Sequence, residues 1–91
     1  MPTLDSQVQV NDDVLFQEIQ GEAVLLNLKS GIYFGLDAIG TRIWQLFPKH
    51  QALSAIVQVI TDEYEVTPDR CEADLLMLIS ELERQGLVKV S

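Results

Sequence analysis

The spacing of hydrophobic positions changes near Gly35, dividing the chain into an extended half and a helical half. Val14 to Ile19 and Glu22 to Leu28 favour extended structure and flank Gln20-Gly21, a pair suited to a hairpin turn. Within the second segment Val24, Leu26 and Leu28 share one face. Lys29-Ser30-Gly31 reads as a turn with glycine where a positive φ is easiest, and the β-favouring Ile32-Tyr33-Phe34 follows. The pattern predicts a three-stranded antiparallel meander and allows a further extended segment from Gln7 to Val10.

After Gly35 the period becomes helical. Leu36, Ile39, Ile43, Leu46 and Phe47 recur behind Asp37, a good N-cap, and Pro48 ends the run. Leu53, Ile56, Val57, Ile60 and Tyr64 mark a second helix whose start is poorly signalled, because Ala52 is a weak cap. In a third helix Thr67 caps, Pro68 takes the first position, and Asp69 and Glu72 sit at the positive end of the dipole. Cys71, Leu75, Leu78, Ile79 and Leu82 form its apolar stripe, Gly86 terminates it, and Leu87 to Val90 form a short closing extended segment. The expected fold is therefore α+β, a three-stranded antiparallel sheet followed by three helices around one core. So small a sheet leaves at least one edge, and an open edge carries unpaired N–H and C=O groups able to accept an extended peptide.

With 91 residues there is room for one domain, placed at residues 13–91, behind a polar and flexible segment at residues 1–12. The 14 acidic and 6 basic residues give a net charge of -8, which argues against nucleic acid, whose phosphates attract Lys and Arg. Apolar runs such as Ala23 to Leu26 fall far short of the roughly 20 residues that cross a bilayer, so no membrane partner is expected. The start lacks the basic and apolar stretches of a secretory signal, and the lone Cys71 has no internal disulfide partner, so the expected location is cytoplasmic.

Candidate chemistry is sparse. His50 is the only histidine and lies in the polar loop after Pro48, where a surface role is the reading. Cys71 falls on a helical stripe, where a thiol acts as a small hydrophobe. Structural zinc needs about four Cys or His ligands, and the chain has one of each. Asp12-Asp13 and Asp62-Glu63 with Glu65 do not match a calcium loop, and the glycines are too scattered to cradle a phosphate. No catalytic residue, metal or cofactor is expected. Trp44, beside Ile43 and Phe47, is assigned to the core, whereas Tyr33, opposite in face to Ile32 and Phe34, is equally open to core and contact roles.

The run from Leu25 to Trp44, LLNLKSGIYFGLDAIGTRIW, resembles the PqqD-like family of recognition elements for ribosomally made, post-translationally modified peptides. Glu63-Tyr64-Glu65-Val66 and the run from Leu82 to Val88 match it too, so the resemblance covers about residues 8 to 90. Within the family the chain is most similar to the stand-alone proteins of lasso-peptide biosynthesis, through its Leu-hydrophobic-Leu, Ser-Gly-x-Tyr-Phe and Gly-x-x-Ile-Trp motifs. The pyrroloquinoline-quinone branch has a less similar middle. Asp37 stands where many relatives have Asn, which preserves capping.

The resemblance implies a winged helix-turn-helix-like fold in which the leader segment of a precursor peptide adds to the third strand of the meander and lies against the third helix. Carried over, Ile32, Tyr33, Phe34 and Gly35, with Leu28 before them, supply the strand side, and Arg70, Asp74, Leu75, Met77 and Leu78 the helix side. Leu75 and Leu78 stay open between groove and core. The resemblance also implies a non-catalytic adaptor whose partners are the leader, often bearing Tyr-x-x-Pro and a further aliphatic residue, a separate leader peptidase and a macrolactam cyclase. Its expected state is a monomer or a weak edge-paired dimer. The alternatives are a peptide chaperone of pyrroloquinoline quinone biosynthesis, a subunit of an enzyme with a shared active site, and a winged-helix DNA-binding regulator. Against the last, the third helix sets Arg70 and Arg84 among Asp69, Glu72, Asp74, Glu81 and Glu83.

Overall fold

The computed structural model describes residues 2–49 and 52–91, so His50 lies outside the described residues. In chain order the elements are β1 (Val8–Val10), β2 (Val14–Ile19), β3 (Glu22–Asn27), β4 (Ile32–Leu36), α1 (Ala38–Leu46), α2 (Leu53–Glu63), α3 (Pro68–Arg84) and β5 (Val88–Val90). The expected meander is present as a sheet of order β2-β3-β4, antiparallel throughout, and the three helices follow it. A second sheet pairs β1 with β5, setting Val8 opposite Val90 and Val10 opposite Val88. The segment from Gln7 to Val10 thus contributes a strand, and the closing segment is its partner.

Local chemistry explains most boundaries. Gln20 and Gly21 both have positive φ, 54° and 83°, as a type I′ turn requires, and this pins Ile19 opposite Glu22. The Asp37 carboxylate accepts the Gly40 N–H at 2.8 Å to start α1. The Thr67 hydroxyl accepts the Arg70 N–H at 3.3 Å, with Pro68 in the first turn of α3. At the other end of α3, Gly86 has φ 74°, its N–H donates to Glu83 and the Leu87 N–H donates to Leu82, the Schellman pattern. Helix α2 starts at Leu53 with no side-chain cap from Ala52, as the sequence suggested.

Leu25, Leu53, Ile56, Ile60, Leu75, Ile79, Leu82 and Leu87 are fully buried, each stabilising the fold by about 1.5–3 kcal/mol relative to an exposed side chain. Trp44 joins this core at 8% exposure and meets Phe47 edge to face at 5.7 Å. Cys71 is buried there too. On β3 the core face is Ala23, Leu25 and Asn27; Val24 lies on the opposite face and is exposed, as is Leu28 beyond the strand end. Among the described residues no helix is long and apolar enough to cross a membrane.

Candidate binding groove

Strand β4 is one edge of its sheet, paired among the described residues only with β3. Which of its backbone groups face outward follows from the ladder. The Leu28 N–H donates to the Asp13 carbonyl at 2.8 Å, so Leu28, Leu26, Val24 and Glu22 direct their backbone groups toward β2. The alternate residues Ala23, Leu25 and Asn27 then face β4, and their partners Leu36, Phe34 and Ile32 use their backbone groups inside the sheet. This leaves Tyr33 and Gly35 with both N–H and C=O directed to the free edge. Of the β4 residues expected from sequence on the strand side, Tyr33 and Gly35 are the two whose backbone groups point to this edge.

Beside this edge lies a cavity of about 330 Å³ between β4, α1 and α3. Phe34, Gly35, Leu36 and Asp37 form the strand wall, and Cys71, Asp74, Leu75 and Leu78 the wall from α3. Ile39, Gly40, Ile43, Ile60 and Val66 complete the lining. Leu75 is fully buried and Leu78 is half-buried, so Leu75 serves core and cavity together. Gly40 fits because a Cβ there would come within 3.2 Å of the Asp37 carboxylate and 3.3 Å of Leu36.

Of the residues expected from sequence, the cavity brings together Phe34, Gly35, Asp74, Leu75 and Leu78. Tyr33, 69% exposed, lies on the outer face of the sheet in one cross-strand row with Leu26 and Leu15. Ile32 and Leu28 are exposed near the turn between β3 and β4. Arg70 is exposed and reaches Asp74 at 3.7 Å. Met77, 72% exposed, borders a different hollow with Pro2, Leu76 and Arg84. The lining residues that sequence reasoning did not assign to the groove, Ile39 and Val66 among them, carry no local signal separating them from ordinary core positions.

The charged groups of the lining are the carboxylates Asp37, engaged in capping α1, and Asp74. Burial, and then the nearby Asp74 charge, push the Cys71 thiol above its ordinary value of 9.0, which keeps it protonated and unreactive. An apolar cleft under an unsatisfied strand edge suits an extended peptide, with main-chain bonds giving affinity and alternate side chains entering the cleft.

The family model described as Coenzyme PQQ synthesis protein D (PqqD) matches residues 22–88. No curated protein matches the chain. Among solved structures, TbiB1 in complex with the TbiA(beta) leader peptide is 38% identical with a TM-score of 0.83, over 89% of this chain and 94% of that one. Lasso peptide synthetase B1 complexed with the leader peptide is 26% identical with a TM-score of 0.81, over 91% of this chain and 98% of that one. With its meander, three helices and a family match reaching from β3 to β5, the chain belongs to the PqqD family.

Proposed function

We propose that this protein is a non-catalytic adaptor that binds the leader of a ribosomally made precursor in lasso-peptide biosynthesis and delivers it to modifying enzymes. The observation that carries the reading is the free edge of β4 at Tyr33 and Gly35 beside the apolar cavity. A leader strand bonds to these two residues and sends alternate side chains toward Phe34, Leu75 and Leu78. The two solved relatives, each described in complex with a leader peptide, support the choice of ligand. A leader held in this way raises the local concentration of the attached core peptide near an enzyme without any bond being made here.

The enzymes in this reading are a separate leader peptidase and, downstream, a macrolactam cyclase. The working unit is a cytoplasmic monomer with a domain over residues 13–91, to which β1 is paired through β5. The family match also favours a second reading, a peptide chaperone of pyrroloquinoline quinone biosynthesis, in which the same groove takes a different leader.

The test is titration of the purified protein with a synthetic leader from the precursor encoded beside it, with the TbiA(beta) leader as a second probe, followed by amide NMR. Saturable shifts at Tyr33, Gly35 and along Asp74 to Leu78 are expected. Absence of binding by either leader at high micromolar concentration refutes the reading, and a preference for a quinone-cofactor precursor selects the second one.

A further inference from the structure

We infer that Asn27 is the positioning residue that sets the gap between the two walls of the groove, an inference that rests on the leader-binding reading above. Asn27 is a buried polar residue on the core face of β3, only 8% exposed. Its Oδ1 accepts the Lys29 N–H at 3.0 Å and the Ser30 N–H at 3.3 Å, and its backbone carbonyl accepts the Gly31 N–H at 2.7 Å. Its Nδ2 donates to the carbonyl of Gln85, the C-cap of α3, at 3.0 Å. Only one orientation of the amide satisfies all three side-chain partners, because Oδ1 cannot donate and Nδ2 cannot accept. One side chain therefore holds the turn that launches β4 with its oxygen and the last turn of α3 with its nitrogen.

The position of this link gives it leverage. Strand β4 packs on β3 and α1, whereas α3 packs on α2 and β5, so the two walls meet chiefly through the shared core and through this bond. Asn27 sits opposite Ile32, two residues or roughly 7 Å along the strand from Phe34. Gln85 lies seven residues, about 10 Å of helix, beyond Leu78. The link thus ties the two walls together beyond the end of the cavity, whose lining includes neither Asn27 nor Gln85. Gly86 makes room for it: a Cβ at that position would come within 3.1 Å of the Asn27 Nδ2.

Two substitutions remove the link to α3 while keeping an oxygen acceptor at the turn. Asn27→Asp keeps the acceptor for Lys29 and Ser30 but loses the donor to Gln85; Asn27→Ser keeps a shorter acceptor and cannot span to α3. The control is Ile56→Val, a trim of the fully buried core away from the groove. Expected are leader binding about tenfold weaker in the Asn27 variants, displaced Gly35 and Leu78 amide resonances in their free forms, and wild-type affinity in Ile56→Val. Wild-type affinity in a folded Asn27 variant overturns the inference, as does an equal loss in Ile56→Val.

If neither Asn27 variant folds, the wild-type protein decides. Leader binding and the link must reinforce one another reciprocally, so exchange of the Asn27 side-chain amide protons slows at saturating leader, and unchanged exchange rejects the role. If the leader fails to bind the wild type, the adaptor reading falls. Asn27 is then judged on the free protein: the Gly35 and Leu78 resonances move in a folded variant, or a variant that cannot fold shows a role in stability alone and the inference is dropped.

Discussion

A proline scan along β4 separates the two uses of its backbone. By the ladder, the Phe34 N–H bonds within the sheet and the Gly35 N–H faces the free edge. Proline removes the N–H in either case. At Phe34 it breaks a ladder bond in the middle of the hairpin and leaves the Leu25 carbonyl unpaired inside the sheet, costing about 3 kcal/mol or more. At Gly35 no internal bond is lost and Phe34 is already extended, as a residue before proline should be, so the fold survives. Leader binding, in contrast, loses one main-chain bond and gains a ring on the approach path. The lost bond alone is worth about 0.5–1.5 kcal/mol, and an unpaired leader carbonyl raises the total to about 2–3 kcal/mol, or 30-fold to 150-fold in Kd. Gly35→Ala is the matched control: its Cβ meets nothing within 4 Å and its N–H is kept, so affinity stays within about twofold. The assays are circular-dichroism melting for fold and fluorescence anisotropy of a labelled leader for binding. A stable Phe34→Pro with an unfolded Gly35→Pro would show that the ladder parity is reversed. Undiminished binding by folded Gly35→Pro would remove β4 as the docking strand.

Three further outcomes are expected. Leu78→Asp, at the half-buried wall of the cavity, weakens leader binding by about tenfold or more in anisotropy, whereas Met77→Ala, on the exposed side of α3, changes it less than twofold. The Arg42 guanidinium donates to Glu63 at 2.8 and 2.7 Å and holds its pKa below the ordinary 4.5. The stability Glu63 adds is therefore present above pH 4.5 and fades as pH falls through the lowered folded value, and Glu63→Gln flattens that acid-side decline in melting temperature. Cys71, buried with its pKa raised, reacts with a thiol reagent at pH 8 far more slowly in the native protein than in denaturant, as absorbance of the released chromophore will report.

The elements were legible where their cause is local. Thr67-Pro68 and Gly86 bracket α3 through capping chemistry that lies within a few residues, and Gln20-Gly21 sets a hairpin register by φ alone. Alternation on β3 grouped Val24, Leu26 and Leu28 correctly but could not say which face is buried, because both faces carry leucines and the buried one ends in Asn27. The binding surface was legible in part for the same kind of reason. Leu78 and Met77 are adjacent in sequence and point to different hollows, so only the rotation of α3, a consequence of packing, decides between them. Ile39 and Val66 reach the cavity from α1 and from the link before α3, an encounter that no local spacing encodes.

The meander has a second margin as well. By the same alternation Val14, Phe16 and Glu18 of β2 direct their backbone groups away from β3, so among the described residues the meander has two open sides. A ligand strand seals one of them and hides its backbone from other copies of the chain. Supply of precursor then governs how long the protein lasts as well as what it delivers: cells making it alone should accumulate more of it in insoluble form than cells that also make its peptide, and its melting temperature should climb with peptide concentration.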